Sequence, residues 1–180
     1  MQSECTRPVQ SLAAELVQLY FDYVHDQFHT LFHQPSFMED LENGKAHPIL
    51  VYGMMALSAR SVSDHTATKH VLTLVRFSKN SIFADVDPRE RGARYAEQCK
   101  QLLDWNDVSV TTIQACVLLG AFAITEGNPA SESIYYAVAC RIAQLLDLPN
   151  HQAPSRVEQE VNIRSSSGTI TPTRIPANVF

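Results

Sequence analysis

At 180 residues the chain has the size of one ordinary domain, able to bury roughly 70% of its unfolded surface. Its 45% apolar and 18% charged residues exclude the disordered class, and a net charge of −5 disfavours autonomous DNA binding, which needs a basic stripe to displace phosphate counterions. Cys5, Cys99, Cys116 and Cys140 form no CxxC pair, so neither a zinc knuckle nor a disulfide framework is expected, and the opening MQSECTRPVQ lacks the apolar run of a secretory signal.

Residues 1–10 read as an N-terminal tail. Leu12, Leu16, Val17, Leu19, Tyr20, Tyr23 and Val24 then recur at helical spacing after Ser11, which can cap, and predict an amphipathic helix from 11 to about 26. From Phe28 to Phe37 the text is aromatic-rich, and Pro35 biases Gln34 away from the helical basin, so an apolar loop folded over the core is expected there. A second helix starts at His47-Pro48 and runs to Arg60, with Gly53, Ala56 and Ala59 allowing close packing.

A third helix is expected from Lys69 to about Phe83, and a fourth from Pro88 to Trp105, opened by an Asp87 cap followed by Pro and Glu. Arg89, Arg91 and Arg94 form the richest basic stretch, but Asp85, Asp87, Glu90 and Glu97 interleave with it, which reads as a solvated helix start.

Residues 108–125 carry no charge over 18 positions, the length at which a membrane span has to be considered. Ser109, Thr111, Thr112 and Gln114 crowd the first turns and Gly120 divides the rest, so the segment reads as the buried centre of a helical bundle. Asn128-Pro129 restarts the chain into a helix carrying Ile134, Val138, Ile142 and Leu145, stopped by Pro149. Residues 165–180, with three consecutive serines, Gly168, Pro172 and Pro176, predict a disordered tail.

Three blocks in this order resemble the fungal-specific transcription factor domain, the middle homology region of binuclear zinc-cluster transcription factors. LVQLYFDYVHDQFHTLFHQPSF at 16–37 is similar to the family's opening helix and apolar loop, and HPILVYGMMALSAR at 47–60 to its helix of alternating small and large residues. The third block spans 94–149, with RYAEQCKQLL, SVTTIQACVLLGAFAITEGN and YYAVACRIAQLLDLP. The sequence departs from the family where Ser133 and Ala137 stand for its frequent Trp and Gly, and where Asp147 and Pro149 stand for Gly and His.

The resemblance implies an all-α fold, an irregular multi-helix bundle around the apolar helix at 108–125, with a partial regulatory domain over 11–164. It implies transcription regulation in the nucleus, although no localisation signal is visible in this chain. Upstream zinc-cluster cysteines and a coiled coil have no counterpart here, so no cofactor is expected. SRVEQEVNIR at 155–164 is similar to a Glu-rich family helix, after which the text diverges, as in a product that left its normal reading frame. Apolar faces left uncovered by such a truncation favour a homo-oligomer or aggregation. A protein partner or a small-molecule effector is expected, with no direct nucleic-acid contact and no membrane.

Candidate chemistry is sparse. His25, His29 and His33 would stack on one continuous helix as metal ligands, but the resemblance ends the helix near Val24 and puts His33 in a loop, so no metal site is expected. No GxSxG elbow, Gly-rich phosphate loop or acid/base carboxylate pair occurs, so no catalytic residue is assigned and the chain is not read as an enzyme. Arg60 and Arg141 interrupt apolar helical faces; with Tyr135 and Tyr136 they either orient helices against buried partners or line an effector pocket. A helical enzyme with an unrecognised site and a functionless fragment are the alternatives.

Overall fold

A computed structural model describes residues 7–25, 31–61, 83, 85–87, 90–148, 161 and 163. These contain six helices and no strand: α1 (Arg7–Tyr23), α2 (Gln34–Glu42), α3 (Pro48–Ser61), α4 (Ala93–Gln101), α5 (Val110–Thr125) and α6 (Pro129–Leu145). The chain is therefore all-α, as expected. The expected helix at 69–83 lies outside the described residues except for Phe83, and so does the tail at 165–180.

The apolar helix is central. Every residue of α5 from Thr112 to Ala123 is buried, so this helix has no solvent face through its middle and needs neighbours on all sides. It packs against α6, α3 and α4, while α3 also packs against α1 and α4. Its start is polar for a local reason. Ser109 is extended and accepts the Thr112 N–H at 3.2 Å, satisfying one of the donors that a helix N-terminus leaves unpaired. At the far end Gly127 takes φ 65°, and the Asn128 N–H closes on the Ala123 carbonyl at 2.9 Å. That six-residue closure, with Gly127 N–H on Ile124 O, is a Schellman stop.

Asn128 caps α6 by accepting the Ser131 N–H at 3.1 Å, with Pro129 in the first turn where no N–H is missed. The helix ends at Leu145, before Pro149, in a second closure of the same type in which Asp147 occupies φ 49°. The departure from the family's Gly therefore falls on the residue that must adopt the left-handed conformation.

Two expectations are corrected. The apolar loop gives way to a helix at 34–42, because Pro35 stands in the first turn of α2, where its missing N–H costs no intrahelical bond. The apolar stretch does fold over the core: Leu31, Phe32 and Phe37 are buried, and Phe37 meets the rings of Phe21 and Phe32 at 5.9 and 5.5 Å. The helix placed at 88–105 is shorter, running Ala93–Gln101, with separate turns before and after it.

Arg91 explains part of that shortening and is the exception in a stretch where Asp85, Asp87, Glu90, Arg94 and Glu97 are exposed as expected. Its side chain is 7% exposed, donates from Nε to the Val86 carbonyl at 3.3 Å, and lies over the Phe83 ring at 5.5 Å. A buried guanidinium needs such partners, and the turns closed by Glu90 N–H on Asp87 O and Ala93 N–H on Glu90 O accompany that placement.

Candidate functional site

Chemistry-bearing side chains fall into two groups, one inside the bundle and one at the surface where the α4–α5 turn meets α6. Inside, polar groups are tied to backbone. His25 sits among Tyr20, Phe21 and Phe32, and its Nε2 accepts the Phe32 N–H at 3.2 Å, so that nitrogen carries no proton. Gln114, buried in α5, donates from Nε2 to the Leu31 carbonyl at 3.2 Å. Together these bonds fasten the residue 31–32 segment to the core.

The histidine expectation resolves into separate roles. His25 is buried, His33 is exposed with Nδ1 2.8 Å from Ser36 Oγ, and His29 lies outside the described residues. Among the described residues, no three His, Cys, Asp or Glu side chains are gathered as metal ligands would be.

Cys99 and Cys116 are buried thiols, each pushed up to about 12 by burial, with Cys116 adding to the shift at Cys99. Cys99 donates from Sγ to the Ile49 carbonyl at 3.3 Å, linking α4 to α3. Thiols held protonated in this way are poor nucleophiles at neutral pH.

Of the four residues singled out on the sequence, the side chains of Tyr135, Tyr136 and Arg141 are described. Tyr136 is half-buried, and its ring covers Gly120, where a Cβ would stand 3.1 Å from the ring atoms; it sets the approach of α6 to α5. Burial, then Glu132, raises its phenol to about 12. Arg141, expected against a buried partner, is instead exposed on α6. For Arg60 only the backbone, in the last turn of α3, belongs to the described structure.

Tyr135 leads to the surface group. Its ring stacks on Trp105 with centroids 6.2 Å apart and planes 11° from parallel. Trp105 remains 55% exposed, and Leu102, Val108 and Ile134, each within three residues of Trp105 or Tyr135 in the chain, are also exposed. Burial raises the Tyr135 phenol, with smaller contributions from Cys116, Cys99 and Glu97, which puts Glu97 within electrostatic reach of the ring. Asp104 Oδ1 accepts both the N–H and the side-chain amide of Asn106, and Asp107 Oδ2 accepts Ser109 Oγ and Thr112 Oγ1, each at 2.6 Å. Those two hydroxyl bonds hold the Asp107 carboxyl below its ordinary range.

The sequence reading placed Trp105 at a helix end and gave it no role. Its one local signal was Asp104-Trp-Asn-Asp, turn-forming residues that break a helix and bring the indole to a loop.

These features define an all-helical module whose buried polar groups serve packing and whose exposed aromatic patch is its most distinctive surface. The chain matches the fungal specific transcription factor domain over residues 17–167, and it belongs to that family. It is 26% identical over 113 residues to a Zn(2)-C6 fungal-type transcription factor, FTF1a, of Fusarium oxysporum f. sp. lycopersici, covering 62% of this chain and 9% of the relative. A transcriptional regulatory protein of Schizosaccharomyces pombe, C1327.01c, is 26% identical over 153 residues, covering 84% of this chain and 14% of the relative. A second from the same yeast, C530.11c, is 34% identical over 77 residues, covering 43% of this chain and 9% of the relative. The chain thus spans 9–14% of the length of these three relatives. No solved structure is significantly similar to it.

Proposed function

We propose that this chain is a regulatory module of a fungal transcription regulator, working in the nucleus through a protein partner or a small-molecule effector and not by touching DNA itself. The family match over residues 17–167 carries the reading. The charge supports it: a net −5 repels the phosphate backbone that a DNA-binding surface must neutralise. The buried polar side chains favour a non-enzymatic role, since His25, Cys99 and Gln114 are each bonded to a backbone atom.

A reporter assay tests the proposal. The chain fused to an unrelated sequence-specific DNA-binding domain, expressed in a fungal host, is expected to change reporter output several-fold against the DNA-binding domain alone at equal abundance. No change in any growth medium would overturn the regulatory reading. A retarded band with duplex DNA at physiological salt, given by the chain alone, would overturn the indirect mode of action.

A further inference from the structure

Six large apolar side chains are exposed among the described residues; one is Trp105 of the Trp105–Tyr135 stack, and three more, Leu102, Val108 and Ile134, lie within three residues of Trp105 or Tyr135 in the chain. Leaving a tryptophan more than half in water beside two aliphatic residues forgoes burial that a folded chain ordinarily obtains. Trp and Tyr are also the residues that dominate binding energy when they sit at the centre of an interface. Tyr135 stacks on the indole, and 55% of Trp105 stays exposed.

Charge around the patch selects the partner. Asp104 and Asp107 stand beside Trp105 in the chain and Glu97 is within electrostatic reach of Tyr135, with Lys100 3.7 Å from Glu97 and His47 within electrostatic reach of Asp107. Asp104 uses only Oδ1 internally, which leaves Oδ2 for an incoming donor. The surface is apolar at its centre and negative at its edge.

We propose that this patch docks a basic amphipathic segment of a partner protein, its aliphatic side chains seated on Leu102, Trp105 and Val108 and its Arg or Lys side chains reaching Asp104 and Glu97. A guanidinium can also lie over the exposed indole of Trp105, where the ring quadrupole attracts it. A second copy of this chain fits less well, because its own patch would bring the same carboxylates together. The inference rests on the partner-mediated function proposed above, and it fails separately: peptide binding can be absent while the reporter responds, or present while it does not.

Trp105 is the chain's single tryptophan, so its fluorescence reports on this site alone. The full chain is titrated with a synthetic helical peptide of Leu and Arg in an amphipathic pattern, and with the same peptide carrying Glu for Arg. A saturable shift of Trp105 emission is expected with the Arg peptide, weakened by raising the salt to about 0.5 M, where charge interactions are screened within about 4 Å. Glu97→Gln with Asp104→Asn, both at exposed positions, is expected to weaken binding by about tenfold, the equivalent of two moderate charge contacts. Trp105→Ala, followed by calorimetry, is expected to abolish it. Equal responses to both peptides, no response to either, unchanged affinity in the double variant, or an emission shift produced by raising protein concentration alone would each overturn the proposal.

Discussion

Replacing Gly92 with alanine opposes two well-defined effects and shows which one wins. Gly92 is buried just before α4 with ordinary helical angles, φ −74° and ψ −28°, so backbone freedom is not why glycine stands there. By helix propensity alone, alanine would stabilise the turn by up to about 1 kcal/mol. The added methyl, however, would run into the Ala56 carbonyl oxygen of α3, and would lie 3.3 Å from its carbonyl carbon and 3.0 Å from Phe122 Cε2 of α5. A backbone carbonyl in the middle of a helix cannot swing aside, so α4 has to move away from α3. Overpacking of this kind costs about 1–3 kcal/mol and more where backbone must shift, which leaves a net loss of about 2–3 kcal/mol after the propensity gain. For a chain of this length that corresponds to a Tm lowered by about 4–12 °C. Thermal melting followed by far-UV circular dichroism measures it, with Gly53→Ala as the control. There the methyl meets Leu118 Cδ1 at 2.8 Å and Leu118 Cβ at 3.1 Å, side-chain atoms and not a backbone carbonyl, and a smaller loss of about 1 kcal/mol is expected. A Gly92→Ala chain as stable as the parent, or more so, would refute the argument that close approach of α4 to α3 requires the glycine.

The remaining predictions concern single groups. Gln114→Ala strips the buried Leu31 carbonyl of its donor and is expected to cost about 1–3 kcal/mol in urea unfolding, whereas an exposed glutamine would cost almost nothing. Asp147→Gly relieves a left-handed residue at φ 49°, and should raise stability by about 0.5–1 kcal/mol after allowing for the extra freedom glycine has when unfolded. Asp107 titrates below its ordinary range, so its contribution is complete above the unfolded carboxyl pKa and disappears as pH falls through the lowered folded value; Asp107→Asn should flatten the acid limb of a stability profile. Cys99 and Cys116, held near 12 by burial, should resist a thiol reagent at pH 8 in the folded chain, while half-buried Cys140 reacts before either; mass mapping of the labelled peptides checks the order.

The legible part of this fold is the part set by near neighbours. The Pro48 start of α3, the Asn128-Pro129 start of α6 and the charge-free run of α5 are set within about one helical turn or by the segment's own composition, and the sequence states them directly. Where the reading missed, a contact from elsewhere overrode the local signal. Asp87-Pro88 is a strong helix start, yet the helix begins at Ala93, because Arg91 folds back onto Val86 and Phe83. Pro35 reads as a breaker until it is placed in a first turn.

Sequence alone thus determined the all-helical class, the buried centre at α5 and the family resemblance, because periodicity, capping residues and block order are properties of the chain in one dimension. Tertiary structure decided which side chains reach water. Tyr135 and Trp105 stack although they are 30 residues apart in sequence, and Gln114 reaches Leu31 across 83 positions. Arg141 points outward, although its helix face looked apolar, because α5 packs on the other side of α6. Exposure depends on how helices are arranged around one another, and no local pattern encodes that arrangement.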